Sequence, residues 1–227
     1  MQQKQIKLYQ EATLAELLTF IGGFLDSYSF IQRGNVLSGA QTGNIIILSA
    51  NLAYKQWRGF FTDLASLIGF GIGSAIITLL NLRYHDRYPK FLTLIPNIIV
   101  CFIIGFLPAS FSNLVIVLLL SCVLAMQTTA FNSIEGVSYN VVYSTGNLKK
   151  FVISWSKYFY THQKKDLIAG KAYIKIISCF VLGAISSALL QHFIKLHTIW
   201  LASIILLIIL FYYGHLEHQT SIKQKGN

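Results

Sequence analysis

The chain has 227 residues, of which 54% are hydrophobic and only 11% charged, and 18 Lys and Arg against 8 Asp and Glu give a net charge of +10. Soluble domains carry roughly a quarter charged residues, so a soluble enzyme is excluded and a membrane protein is expected. Even one soluble domain of ~100 residues would consume nearly half the chain, and no polar stretch approaches that size.

Lys4 and Lys7 precede the first apolar stretch, but Glu11, Glu16 and Asp26 interrupt it and no A-x-A-like site follows before Arg33. The amino end is therefore expected to be a retained first span. Charge-free runs at 64–82, 91–134, 176–194 and 196–216 reach or approach the ~20 residues that a spanning helix needs. Hydropathy predicts six helices, at about 14–31, 62–82, 91–108, 113–133, 173–193 and 197–214. Two further segments read as short or broken helices. Residues 34–54 carry Ser38, Gly39, Gln41, Thr42, Gly43 and Asn44, and residues 137–160 carry Tyr139, Asn140, Ser144, Thr145, Gly146, Asn147, Lys149 and Lys150. The expected fold is an all-α polytopic bundle forming one integral membrane domain over 1–227.

Counting Lys and Arg gives 14 inside against 4 outside if the short segments re-enter, and 13 against 5 if both cross. Six and eight spans thus remain open, while both counts put the two termini in the cytoplasm.

The chain also resembles itself. Gln41-Thr42-Gly43-Asn44 matches Ser144-Thr145-Gly146-Asn147, and Phe70-Gly71-Ile72-Gly73-Ser74-Ala75 matches Phe180-Val181-Leu182-Gly183-Ala184-Ile185. One repeat is expected at about 14–108 and the other at about 113–214. With six spans the two halves are inverted, and their short segments enter from opposite faces toward one another. With eight they are parallel. Interrupted helices at corresponding positions of two halves point to a transporter site near the midplane. At each T-G-N, glycine lets the backbone unwind and a ligand approach, and the free N–H groups of the following helix face the gap. The competing reading is an ordinary helix cap at a surface turn.

Asp26 stands inside the first apolar helix, where a carboxylate is costly and marks a functional candidate. It reads as a proton site, a cation contact, or a protonated acid bonded to Tyr28, Gln41 or Asn44; otherwise the helix starts later and Asp26 is interfacial. Gln127, Thr128 and Thr129 form the polar patch at the matching place in the second half, without an acid, and Glu135 reads as a boundary residue. The candidate solute site is therefore Asp26, Gln41, Thr42, Gly43, Asn44, Gln127, Thr128, Thr145, Gly146 and Asn147.

Gly69-x-x-x-Gly73 and Cys179-x-x-x-Gly183-x-x-x-Ser187 are small-residue faces suited to close helix packing, within one chain or in a homo-oligomer. Seven lysines between 149 and 175 alternate with Phe151, Trp155, Tyr158, Phe159 and Tyr160. Beside a membrane this pattern, with Lys149, Lys150, Trp155 and Lys157 foremost, reads as contact with anionic headgroups rather than nucleic acid. Cys101, Cys122 and Cys179 lie in apolar runs as packing residues, and His192, His197, His215 and His218 stand at helix ends without further metal ligands. No cofactor is expected.

GGFLDSYSF at 22–30, then GNVLSGAQTGN at 34–44, and a second S-T-G-N at 144–147 resemble the YoaK family of bacterial membrane proteins of unknown function. The likeness covers residues 12–215 and is carried by Gly23, Asp26, Thr42, Gly43, Asn44, Thr145 and Gly146. Members often have Gln-Asn where this chain has Gln127-Thr128. The resemblance implies a helical protein of the bacterial plasma membrane, described only as a small permease.

Two functions compete. The first is a secondary transporter or permease for a small solute, with the two T-G-N segments and Asp26 at its centre. The second is a non-transporting protein that binds anionic lipid or a protein partner through 149–175. No H-E-x-x-H, G-x-S-x-G or phosphate-loop motif occurs, so neither catalysis nor ATP-driven transport is expected.

Overall fold

The computed structural model describes residues 12–84, 90–131, 133–134, 137–138 and 144–225, with side chains as far as residue 214 and not for the strands or Ser144. Glu135, Tyr139 and Asn140, the amino-terminal lysines and Arg87 lie outside the described residues, as do the side chains of His215 and His218. Eight α-helices are described: α1 (Ala12–Gln32), α2 (Gln41–Ala53), α3 (Trp57–Tyr84), α4 (Leu94–Ile104), α5 (Asn113–Ala130), α6 (Ser144–Thr161), α7 (Lys164–Ile194) and α8 (Ile199–Lys225). Short 3-10 turns precede α4 and α8, and Ser133–Ile134 pairs antiparallel with Val137–Ser138 after α5.

Four segments are long and apolar enough to cross a bilayer: Ala12–Gln32, Trp57–Tyr84, Asn113–Ala130, and the 51-residue Lys164–Gly214 that contains α7 and most of α8. Lys90–Ile104 is apolar but shorter. Helices extend beyond the hydropathic windows where lysine or arginine begins. α3 starts at Trp57 rather than 62, and α7 starts at Lys164 rather than 173. Lysine and arginine are good helix formers, and their long stems let the charged heads reach the interface.

Helix α1 is the core of the bundle. Leu14, Leu18, Ile21, Phe24, Leu25 and Tyr28 are all fully or almost fully buried. Much of the remaining surface is apolar, with Ile46, Leu79, Phe193 and Phe211 exposed on the outside, as a protein solvated by lipid tails requires.

Close backbone approaches set the helix directions. The Cα of Gly183 faces the Phe20 backbone, and Gly23 faces the carbonyl of Phe180 and the amide of Ala184. Lys175 pairs with Glu16 at 3.4 Å, so α1 and α7 run parallel. Gly69 and Gly73 face the backbones of Leu118 and Cys122, so α3 and α5 also run parallel. Both small-residue faces therefore pack within the chain. α8 runs antiparallel to α4: His197, Trp200 and Ser203 meet the carbonyls of Gly105, Phe102 and Ile98 at 2.9, 3.0 and 3.1 Å. Gln127, late in α5, donates to the Leu18 carbonyl early in α1 at 3.0 Å. Thus α1, α4 and α7 run one way, and α3, α5 and α8 the other.

Arg33, one of the four charges on the outside in the six-span count, is not a free loop charge. It is fully buried. Its Nε donates to the Tyr28 hydroxyl at 3.2 Å, and its Nη atoms reach the carbonyls of Ile104, Leu107 and Pro108 at 3.3 to 3.5 Å. Tyr28 in turn donates to the Leu196 carbonyl at 3.1 Å. A guanidinium satisfies the orphan carbonyls at the end of α4 and matches the negative end of its dipole. It thereby ties α1, α4 and the α7–α8 connection together.

Candidate functional site

The chain reverses sharply after α1. Gly34 adopts φ +96° and Asn35 φ +60°, conformations that glycine and asparagine tolerate best. The reversal sends residues 36–40 back along α1, so that Gly39 donates its N–H to Asp26 Oδ1 at 2.6 Å. The amides of Ser38 and Ala40 also face that carboxylate, and Ser29 Oγ accepts the Ser38 N–H at 3.2 Å. Helix α2 therefore starts beside Asp26. That residue lies roughly 21 Å along α1 at 1.5 Å per residue, and it is 3% exposed. The helix does not start later, since α1 already begins at Ala12. The hydrogen-bond partner of Asp26 is backbone, not Tyr28, Gln41 or Asn44, and Oδ2 is buried without a partner.

A cavity of about 650 Å³ opens at this point, lined by Gly23, Asp26, Ser27, Phe30, Leu37, Ala40, Thr42, Gly43, Thr145, Gly146, Phe180 and Ala184. The first turn of α2 and the first turn of α6 both reach it. From there α2 runs toward the end of the bundle where α1 finishes, since Asn51 donates to Asp63 Oδ2 near the start of α3 at 2.7 Å. Helix α6 runs to the opposite end, where residues 162–163 join it to α7 and Trp155 packs on Gly170. At ~1.5 Å per residue the 13 residues of α2 span ~20 Å, short of a ~30 Å hydrocarbon core.

Five of the ten candidate residues line the cavity: Asp26, Thr42, Gly43, Thr145 and Gly146. The other five do not. Asn44 turns toward α3, where its Nδ2 lies 2.5 Å from the Leu37 carbonyl, 2.9 Å from Ser66 Oγ and 3.1 Å from Gln41 Oε1, and its Oδ1 accepts the Leu37 N–H at 2.9 Å. Gln41 shares that network through Ser66, which lies 2.8 Å from Ser121 of α5. Gln127 bridges α1 and Asn97 of α4, while Thr128 bonds back to the Ala125 carbonyl within α5. Asn147 is buried one residue beyond the cavity lining.

The polar network has its own consequence. Asn44→Ala removes the acceptor of the part-buried Leu37 N–H, while the Leu37 carbonyl keeps Ser66 Oγ as donor at 3.1 Å, and a buried group left unsatisfied costs ~1–3 kcal/mol. A lower unfolding temperature is expected, together with weaker solute binding, because Leu37 and Gly39 sit on the segment that Asn44 clamps. Unchanged thermal stability of the purified variant would argue against this clamp.

The family described as "Protein of unknown function (DUF1275)" matches residues 14–212. The chain belongs to this family. It is similar to the UPF0700 transmembrane protein YoaK of Bacillus subtilis (strain 168), 30% identical over 198 residues that cover 80% of this chain and 86% of that protein. No solved structure matches the chain significantly. As a member of DUF1275 with several long apolar helices, it is a multi-pass membrane protein. In this DUF1275 chain the sequence reading missed Ser27, Phe30, Leu37, Phe180 and Ala184 as cavity walls. Phe180 and Ala184 belong to the second of the two matching apolar hexapeptides, and that match was the available signal. Among the described residues no group of three or more His, Cys, Asp and Glu is placed to hold a metal.

Proposed function

We propose that this DUF1275 chain is a secondary transporter or permease of the bacterial plasma membrane that carries a small solute through the cavity at Asp26. One observation carries the reading: the Thr-Gly pairs of the two T-G-N segments, about a hundred residues apart, line a single cavity together with a buried carboxylate. Two helices that begin at one cavity and leave it toward opposite ends, the 13-residue α2 and the 18-residue α6, form the arrangement in which half-helix termini hold a solute near the midplane. The proposed topology has six spans, α1, α3, α4, α5, α7 and α8, with α2 and α6 re-entering from opposite faces. Both termini are then cytoplasmic, as the distribution of Lys and Arg favours. The repeat is supported by paired contacts, because Gly183 meets Phe20 between α7 and α1 as Gly73 meets Cys122 between α3 and α5. The energy source is an ion gradient.

Gly146 provides a clean test, since a Cβ built there meets nothing within 4 Å. Gly146→Val adds bulk to the cavity without disturbing packing. Purified protein screened by thermal shift against small metabolites is expected to show saturable stabilisation by one chemical class, and Gly146→Val is expected to unfold at the same temperature but lose that stabilisation. Full stabilisation of the variant by the same solute would remove α6 from the site.

A second reading rests on α6, whose Phe159 and Tyr160 are 67% and 89% exposed on a helix that also carries Lys149, Lys150 and Lys157. Stabilisation by anionic lipid alone, lost on neutralising these lysines, would favour a lipid-binding or partner-binding role.

A further inference from the structure

The chemistry of the cavity narrows the class of solute, an inference that rests on the carrier reading above. Asp26 is the one ionisable side chain among the described lining residues. Its Oδ1 is committed to the Gly39 amide at the start of α2, so that helix end already has its counter-charge. Its Oδ2 is buried and without a hydrogen-bond partner. Facing the same cavity are Thr145 and Gly146, in the first turn of the 18-residue α6. The amides of a first helical turn lack intrahelical acceptors and carry the positive end of the dipole. Gly146 places no side chain over them, and space beside it is open. The walls between the two poles, Phe30, Leu37, Phe180 and Ala184, are apolar.

Each single-charged class of solute leaves one pole wrong. An ammonium compound would satisfy Asp26 Oδ2 but bring positive charge to the α6 terminus. A carboxylate compound would suit that terminus, a favourable anion site, while sharing the cavity with an unpaired carboxylate. An apolar neutral solute would pair with neither pole, and buried polar groups without hydrogen bonds are disfavoured. We propose that the cavity takes a small zwitterion with an apolar body, its ammonium on Asp26, its carboxylate at the α6 N-terminus, and its hydrocarbon portion against Phe30, Leu37 and Phe180. A volume of about 650 Å³ lies in the usual range of small-molecule sites, roughly 300–1,000 Å³. It leaves room for a branched or aromatic substituent.

The test uses purified full-length protein and thermal shift with three matched pairs of probes: leucine and phenylalanine, then isoamylamine and phenethylamine, which keep only the ammonium, then 4-methylpentanoate and 3-phenylpropanoate, which keep only the carboxylate. At least one zwitterion is expected to stabilise saturably, with both of its single-ended analogues about tenfold weaker or worse, as loss of one charged hydrogen bond implies. Asp26→Asn is expected to weaken the zwitterion and to strengthen the carboxylate-only compound, which no longer shares the cavity with a like charge, so that the two bind about equally. An amine that binds as well as its zwitterion overturns the role of the α6 end, and a carboxylate that does so overturns the role of Asp26. If none of the six binds but a solute of another class stabilises the wild type and not Gly146→Val, the zwitterion assignment falls and the carrier reading stands. A flat response to every solute class sinks both. The analogue comparison is made on the wild type, so it decides even if Asp26→Asn fails to fold.

Discussion

Asp26→Asn is expected to abolish gradient-driven accumulation of the solute while leaving a folded protein that still exchanges it at raised concentration. The substitution is close to isosteric. The Asn side-chain oxygen can accept the Gly39 N–H that Oδ1 takes at 2.6 Å, so the start of α2 keeps its anchor. What disappears is the charge on a group 3% exposed inside the bundle. A lone carboxylate at such a position is costly and is held either with a proton or against a cation. An exchange between those two partners is the simplest way for one residue to couple solute movement to an ion gradient, and Asn can take part in neither half. Removing a charged hydrogen-bond acceptor costs ~1.5–3 kcal/mol, so solute affinity is expected to fall roughly ten- to hundredfold. Uptake into proteoliposomes with an imposed gradient, read beside equilibrium exchange without one, separates coupling from binding. Undiminished accumulation by the variant would take Asp26 out of the coupling step.

The helical membrane fold was legible because lipid imposes a rule that sequence obeys directly: spans must be apolar and long. The T-G-N segments were legible because they recur. What the sequence did not carry was direction. Thr42, Gly43 and Asn44 are consecutive, yet Thr42 and Gly43 line the cavity while Asn44 points away to Ser66. A helical turn separates neighbours by about 100°, so a motif names a segment and leaves its inward face to tertiary packing. Arg33 shows a second limit. Counted along the chain it is a charge between two apolar runs, but in space it caps α4 through carbonyls 71 to 75 residues away. No local pattern announces such a partner, because its acceptors are backbone atoms that every residue has. Helix ends were misjudged at Trp57 and Lys164 for the opposite reason: hydropathy reports where lipid begins, and a helix continues past that point on propensity alone.

The largest structural effect is expected where two helices touch backbone to backbone. Gly73→Val and Gly183→Val are each predicted to destabilise the protein severely, while Gly71→Ala is predicted to be neutral or slightly stabilising. Gly71 and Gly73 share one helix and one composition, so hydropathy cannot separate them. Their surroundings can. A Cβ on Gly73 would collide with the Cys122 carbonyl of α5, and one on Gly183 with the Phe20 carbonyl of α1, whereas nothing lies within 4 Å of a Cβ on Gly71. Overpacking a tight contact costs ~1–3 kcal/mol when side chains can repack. Here the obstructing atoms are backbone, so two helices must separate and the upper end of that range is the expected minimum. For a chain of this size ~3 kcal/mol lowers the unfolding temperature by roughly 6–12 °C. Gly71→Ala instead replaces a poor helix former on an exposed face and gains up to ~1 kcal/mol of propensity. Because Gly23 and Gly183 bring α7 against the part of α1 that carries Asp26, and Phe180 and Ala184 of α7 form a cavity wall, Gly183→Val should lose solute binding along with stability. Gly73→Val, on the α3–α5 contact, should lose stability first. Thermal unfolding of the three variants in one detergent, with solute added to those that remain folded, orders these effects, and equal stability of Gly71→Ala and Gly73→Val would contradict the packing described for α3 and α5.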